Sequence, residues 1–405
     1  MSADTSPLNR SQRLRVIRDF RRSVAEQADD LAEQVQRPLG EVWASEIIPL
    51  LEACRFLEKQ APALLETRTA RGSTGLSFKG LKTLTARRPF GKVLVIGPFN
   101  YPLFLPGVQA LQALVAGNEV IWKPGRNGEA VANAVRSRLI KCGLPAEQLS
   151  VTDESAEAGI EAIKSGVDLI IFTGSAEVGK KIASLAAESL TPCIIEASGS
   201  DAAIITKNAD LDRAAKAIWF GLTINGGQTC ISPRRIFIPQ PLVATFESKM
   251  RALAENGESY QLPDQVIDQA KGIITDAQAH GASLIVGTPP SGDRMAPCLL
   301  SPVSANSKLH QADLFAPLAG LIGYDDESEL IDLNFQSPYA LGASIFGSES
   351  DCHRIAAQIP AACITFNDTV APTADPRASF GGNRLSGYGR TRGASGLLSC
   401  TTEQT

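Results

Sequence analysis

The feature that most constrains this chain is a change of rhythm at Lys92. From there, short apolar runs alternate with helical stretches: Val93–Ile96, Val120–Trp122, Leu169–Phe172, Ile194–Glu196 and Ala203–Thr206. Segments of helical spacing lie between them, near 102–116, 127–141, 154–165 and 176–189. Strand–helix alternation of this kind predicts a mostly parallel sheet with helices on both faces. Such a sheet binds ligands at the carboxyl ends of its strands, so chemistry is expected there.

The alternation restarts after about Trp219. Arg235–Ile238, Ser283–Val286, Leu318–Tyr324, Ala343–Phe346 and Cys363–Phe366 read as strands, and 242–254 and 350–359 as helices. The expected organisation is therefore α/β throughout: 1–219 with the N-terminal helices and the first sheet, 220–390 with the second, and 391–405 as a tail returning toward the first. The stretch from Ala371 to Gly396 is rich in Gly, Pro, Ser and Arg and reads as loop.

Ahead of the first sheet, Leu14, Ile17, Phe20, Val24, Leu31 and Val35 repeat at helical spacing within Asn9 to Val35, and a second helix is expected from about Leu39 to Leu64. The basic cluster Arg10 to Arg22 fits either a membrane-surface helix or an amphipathic helix packed on the body. Thr67 to Lys82 is expected to form extended edge strands.

Several classes are disfavoured. The net charge of −4 gives no basic field for nucleic acid or an anionic membrane. The eight cysteines are scattered without a CxxC pair and only three histidines are present, which argues against a zinc site or a dense disulfide scaffold. Reduced thiols fit a cytoplasmic protein. Met1 to Arg22 is polar and arginine-rich, unlike a secretory leader, and no apolar run is long enough to span a bilayer.

No GxGxxG follows a strand. One strand instead runs into Phe172-Thr173-Gly174-Ser175-Ala176-Glu177-Val178-Gly179, where Gly174 permits close backbone approach and Ser175 opens a helix. That pattern suits an anion at a helix N-terminus, or a simple helix cap. In Gly97-Pro98-Phe99-Asn100-Tyr101-Pro102, Asn100 is either an oxyanion donor or a turn residue. In Trp122-Lys123-Pro124, Lys123 is either a ribose ligand or a surface lysine. Cys230 follows the paired glycines of Asn225-Gly226-Gly227-Gln228-Thr229 and is either an accessible nucleophile or a small core residue. Glu196 ends an apolar run, where an acid is costly unless paired or functional.

Taken together, GPFNYP, WKP, FTGSAEVG, the glutamate of IIEASG, GQTC, FAPLAG and SFGGNRLSGYGR resemble, in order, the motifs of the aldehyde dehydrogenase superfamily. The resemblance runs from about Pro89 to the C-terminus. It implies two doubly wound parallel-sheet domains, one cofactor-binding and one catalytic, with a small oligomerisation element. It also implies NAD or NADP as cofactor, an aldehyde substrate and no metal. By the same resemblance Cys230 is the nucleophile, Glu196 the general base and Asn100 an oxyanion donor. Lys123, Arg126, Gly174, Ser175, Phe99, Asp313 and Phe315 would hold the cofactor, and Phe104, Ile224, Thr229 and Ile231 would line the substrate pocket.

Four departures stand out. Asp313 occupies the position of a glutamate that binds the nicotinamide ribose. Ala197-Ser198-Gly199-Ser200 replaces Leu-Gly-Gly-Lys. Arg126 stands where NAD-preferring members carry an acid, which implies that NADP is accepted. The chain is also short at both ends, from which a homodimer is expected. Arg234 and Arg235 would either attract an acidic semialdehyde or form salt bridges. The rival readings are a CoA- or phosphate-linked acylating relative, which generally lacks the hydrolytic glutamate, and a non-catalytic protein that keeps only the fold.

Overall fold

A computed structural model describes residues 8–69, 76–78, 81–255 and 257–405. The chain forms two compact units. One comprises residues 1–196, 375–380 and 389–405, and the other residues 197–374 and 381–388. The sequence rhythm placed a change near residue 219.

In the first unit the strands are β1 (Lys92–Ile96), β2 (Glu119–Lys123), β3 (Leu149–Val151), β4 (Leu169–Gly174) and β5 (Cys193–Ala197). Their order in the sheet is β5-β4-β1-β2-β3. β1 pairs in parallel with β4 on one side and β2 on the other, with Val93 opposite both Leu169 and Val120. Both faces of β1 and β4 are covered, so these two are apolar along nearly their whole length rather than alternating. The Phe104–Ala116 helix is buried on every side, which explains its nearly uniform apolar sequence. Its two polar residues are tied down: Gln109 Nε2 donates to Thr173 Oγ1 at 2.9 Å and Gln112 Nε2 to the Gly393 carbonyl at 3.1 Å.

The first amphipathic stretch packs on the body of this unit. Arg10–Glu26 starts at a reciprocal cap between Asn9 and Gln12 and buries Val16, Ile17, Phe20 and Val24. Three of its arginines bond within the unit, Arg10 to the Leu65 carbonyl, Arg21 to Glu58, and Arg13, whose Nε donates to the Val115 carbonyl at 3.0 Å at the end of the buried helix. The predicted single helix over 9–35 is broken after Glu26, with Ala28–Ala32 and a 3₁₀ turn at Glu33–Val35 beyond the break. The predicted 39–64 helix is likewise interrupted, by a π-helical turn at Trp43–Ile47 between Leu39–Val42 and Ile48–Leu64. The turn brings Glu46 fully inside. Of the expected edge strands in Thr67 to Lys82, Arg68–Thr69 pairs with Leu84–Thr85, whereas Leu76–Phe78 is a 3₁₀ turn. Residues 70–75 and 79–80 lie outside the described residues.

The tail is not all loop. It contains a helix at Gly393–Ser399, and the next strand, Thr401–Gln404, pairs antiparallel with Leu84–Pro89. Asn118 donates to the Cys400 carbonyl at 2.9 Å, which fastens this end of the chain to the turn after the buried helix.

The second unit holds β6 (Asp201–Ile205), β7 (Pro233–Pro239), β8 (Ser283–Val286), β9 (Cys298–Ser301), β10 (Leu318–Tyr324), β11 (Gly342–Phe346) and β12 (Cys363–Phe366). They are ordered β8-β9-β10-β7-β6-β11-β12, parallel except at the β8 edge. Separate apolar clusters cover its two faces. No helix among the described residues is long and apolar enough to cross a membrane.

Candidate active site

In the first unit the predicted residues gather at the carboxyl ends of β1, β2 and β4. The loop after β1 carries Phe99 and Asn100, and Asn100 is buried. This loop is fixed from beneath. Glu46 Oε2 accepts the backbone N–H groups of Leu103 and Phe104 at 2.7 and 3.0 Å, where the buried helix begins. Its other oxygen pairs with Arg37, and the Arg37 guanidinium lies 5.1 Å from the Tyr101 ring centroid. Burial pushes the Glu46 carboxyl up, against Arg37 and the two amides, which pull it down.

β2 ends at Lys123, which is half-buried. Burial lowers its pKa, and Glu154 and Asp153 oppose the shift. Gly125 is pressed on the loop after β1, so that a Cβ there would sit 2.3 Å from the Pro98 carbonyl oxygen. Arg126 lies over the Phe99 ring at 5.5 Å. At the end of β4, a Cβ on Gly174 would meet the Phe172 ring at 2.4 Å, so packing alone requires glycine there. Ser175 caps the twelve-residue Ala176–Ala187 helix, its Oγ accepting from Val178 N–H at 3.3 Å. A half-buried ammonium, an aromatic-backed guanidinium and a helix N-terminus at the ends of β2 and β4, on either side of β1, fit a dinucleotide's ribose and phosphates.

Glu196 lies near the end of β5 and is 2 % exposed. Its Oε2 accepts from Thr391 Oγ1 at 3.2 Å, and Oε1 has no hydrogen-bond partner among the described residues. Burial raises its pKa, with Arg392 and then Thr391 acting against the shift.

In the second unit, Cys230 follows a loop whose residues Asn225, Gly226 and Gly227 all have left-handed backbone, at φ 53°, 58° and 74°. A Cβ on Gly227 would meet Pro317 N at 2.4 Å, so the loop before Cys230 rests directly on the backbone after Phe315. Cys230 is in no disulfide and is of intermediate exposure. Thr229 is buried, and Ile224 and Ile231 are half-buried. Six thiols elsewhere are raised by burial: Cys193 to about 11, Cys298 and Cys400 to about 12, and Cys54, Cys142 and Cys352 also upward.

Asp313 is held by Ser198, whose hydroxyl donates to its Oδ2. Burial raises the Asp313 carboxyl, opposed by Ser198 and Arg234. Arg234 and Arg235, read from sequence as substrate-attracting or salt-bridged, are both buried and bonded mainly to carbonyls. Arg234 donates to Gly227 O at 2.5 Å and to Ala316 O, and so joins the loop before Cys230 to the Phe315 loop. Arg235 donates to Ser200 O at 2.8 Å and to the Asn334 carbonyl and side chain at 3.1 and 3.2 Å.

Sequence reasoning missed Glu46, Thr391, Arg392 and the Ser198–Asp313 bond. Only Glu46 carried a signal: it is an acid amid Val42, Ile47, Ile48 and Leu50. Among the described residues no group of His, Cys, Asp or Glu is placed to hold a metal ion.

Comparison with known proteins accounts for this arrangement. The model of the aldehyde dehydrogenase family matches residues 3–405. A putative NADP(+) succinate-semialdehyde dehydrogenase of Mycolicibacterium smegmatis is 30% identical over 415 residues, covering 98% of this chain and 80% of its own. A probable coniferyl aldehyde dehydrogenase of Pseudomonas aeruginosa is 28% identical over 404 residues, covering 96% and 84%. Among solved structures, a Mycobacterium tuberculosis aldehyde dehydrogenase complexed with NAD+ superposes with a TM-score of 0.89 at 27% identity, over 99% of this chain and 86% of that one. With a match along nearly its whole length and parallel-sheet units of the same fold, the chain belongs to the aldehyde dehydrogenase family and is an NAD(P)-dependent enzyme that oxidises aldehydes.

Proposed function

We propose that the enzyme converts its aldehyde to a carboxylate by covalent catalysis at Cys230 followed by hydrolysis with Glu196 as base. The cysteine sulfur forms a bond to the carbonyl carbon, giving a thiohemiacetal. The Asn100 side-chain amide and the Cys230 N–H donate to the oxygen as it gains charge. A nicotinamide cofactor, when bound, would supply the hydride acceptor for the oxidation, and Cys230 would then carry the acyl group as a thioester. Water then adds to the acyl carbon while Glu196 takes its proton. The C–S bond breaks with its electron pair returning to sulfur, and the carboxylate departs.

The observation that carries this reading is Glu196 itself. It is a buried acid near a strand end, with one oxygen committed to Thr391 and the other without a partner among the described residues. An acylating enzyme that hands its thioester to CoA or phosphate has no use for such a group, and neither has a scaffold.

Lys123, Gly174 and Ser175 are assigned to the adenosine ribose and pyrophosphate, with Phe99 and Arg126 beside them and Asp313 and Phe315 toward the nicotinamide. This makes the first unit the cofactor-binding one and the second the bearer of the nucleophile. Arg126, backed by Phe99, supports use of NADP. Phe104, Ile224, Thr229 and Ile231 are assigned to the substrate pocket. The committed bonds of Arg234 and Arg235 take both out of contention as anchors for a semialdehyde carboxylate, so that substrate class rests on the relatives alone. We read the enzyme as a cytoplasmic homodimer. The cysteines, none of them in a disulfide among the described residues, support a reducing compartment, and light scattering that gave a stable tetramer would overturn the dimer.

The deciding experiment follows reduced cofactor at 340 nm with an aldehyde panel, NAD or NADP, and Cys230→Ala and Glu196→Gln as controls. Turnover that needs both residues is expected. Turnover that appears only when CoA is added would assign the acylating chemistry instead.

A further inference from the structure

The base proposed above has a neighbour that the reaction does not yet use. Arg392 is buried, and its guanidinium lies 3.9 Å from the Phe380 ring centroid and 5.4 Å from that of Phe104. Its backbone has φ 57° and ψ 172°, a region that glycine tolerates and side-chain-bearing residues avoid.

The surroundings hold it there. Thr391 and Phe380 exchange backbone hydrogen bonds at 2.8 and 2.7 Å. The next residue, Gly393, is also left-handed and is so close to the Arg377 carbonyl that a Cβ would approach to 2.7 Å. Local strain of this kind persists only where the fold overrides it, and it concentrates where a side chain must be placed.

What is placed is a buried cation on the residue after Thr391, whose hydroxyl binds the Glu196 carboxylate. The charge of Arg392 favours the ionised Glu196, against the burial that raises its pKa. Thr391 Oγ1 lies 3.2 Å from both Glu196 Oε2 and the Phe380 carbonyl oxygen. It has one proton to give. It donates to Glu196 when that group is charged, and it can turn to Phe380 when the carboxyl becomes the donor.

We propose that Arg392 is a positioning residue for the general base, supplying the counter-charge for the Glu196 carboxylate from a cradle of two aromatic rings. The inference rests on the reading of Glu196 as base. In each hydrolysis the new bond forms between the water oxygen and the acyl carbon, the water proton goes to Glu196, and the C–S electron pair returns to Cys230. Glu196 must then release that proton to solvent before it can act again, and a neighbouring guanidinium favours the charged form. Stacking on the two rings holds the cation in place.

The test compares Arg392→Gly, Arg392→Met and Arg392→Lys in the full chain by stopped flow, recording the first-turnover burst of reduced cofactor and the pH profile of steady-state turnover. Glycine suits the backbone at this position, so Arg392→Gly removes the charge while relieving strain. The Gly and Met variants are expected to keep the burst. Their steady-state rate should fall about tenfold at pH 7, and the acid limb should move up by about one unit. Arg392→Lys should restore most of the rate and the limb. A folded Arg392→Gly enzyme with the wild-type rate and acid limb would overturn the proposal. So would its failure to fold, which would make the side chain a structural strut. Glu196→Gln, run in parallel, separates the two levels. If it hydrolyses at the wild-type rate, the base reading fails. If it stalls after the burst while Arg392→Gly is unaffected, only the role of Arg392 falls.

Discussion

The Ser198 hydroxyl donates to the Asp313 carboxylate, so that two of the positions where this chain departs from its family's pattern touch each other across 115 residues of sequence. The serine replaces a glycine of the usual motif, and the aspartate is one methylene shorter than the usual glutamate. Ser198→Ala removes a donor from a buried carboxylate, a loss of about 1.5–3 kcal/mol. We expect cofactor KM to rise roughly tenfold with a smaller change in kcat. A cofactor KM within twofold of wild type would show that the bond does not organise Asp313 for binding.

Glu46 is expected to matter out of proportion to its distance in sequence from the loop it holds. Glu46→Ala leaves Arg37 and the N–H groups of Leu103 and Phe104 without their buried acceptor. Breaking such a buried charged pair costs about 3–5 kcal/mol, readable by urea denaturation. Glu46→Gln keeps an acceptor and should lose less. If the two variants unfold at the same urea concentration as wild type, the anchoring role is wrong.

Gly227→Ala combines a left-handed backbone with a Cβ placed 2.4 Å from Pro317 N. The left-handed backbone alone costs about 1–3 kcal/mol, and the clash adds to it by moving the loop that carries Cys230. Alkylation of Cys230 by iodoacetamide should change rate in the variant. An unchanged rate would mean that the loop absorbs the methyl group without moving the thiol.

Arg126→Glu replaces a cation with an anion where a 2′-phosphate would lie. The ratio of kcat/KM for NADP to that for NAD should drop by about tenfold or more, since a charge-assisted contact is replaced by repulsion. A ratio that does not move would take Arg126 out of cofactor selection.

The stability of the enzyme carries a pH signature from Asp201. Burial pushes this carboxyl up to about 8, against the Gly342 amide and then Arg235 and Arg234. The folded protein therefore holds a proton that the unfolded chain has already lost, and stability from this group falls as pH rises from about 4 to about 8. The slope is at most about 1.4 kcal/mol per pH unit. Asp201→Asn should flatten denaturation midpoints measured across that range. A midpoint that falls equally steeply in the variant would place the titrating group elsewhere.

Much of the scaffold was legible because its signals are local. Val93–Ile96 and Leu169–Phe172 are short apolar runs bounded by Gly, Asp or Thr, and each is a central parallel strand. The motif residues at their ends were legible for the same reason. The break at Trp43–Ile47 was not, because helical periodicity survives a single wide turn and only the inward path of Glu46 reveals it. Thr391 and Arg392 lay in a segment whose glycines read as loop. Their meaning depends on Glu196, 195 residues earlier. No window of sequence contains both partners of such a contact.

The discontinuity of the first unit has a consequence for biosynthesis. Residues 389–405 belong to it, with Gly393 and Cys400 accepting hydrogen bonds from Gln112 and Asn118, while nearly all of the second unit lies between. As the chain leaves the ribosome, the segment 197–374 is exposed before the first unit has received its last helix and strand. The second unit can thus assemble while the earlier one still waits for its closing piece, and nascent chains stalled short of residue 389 should present an unfinished first unit to chaperones.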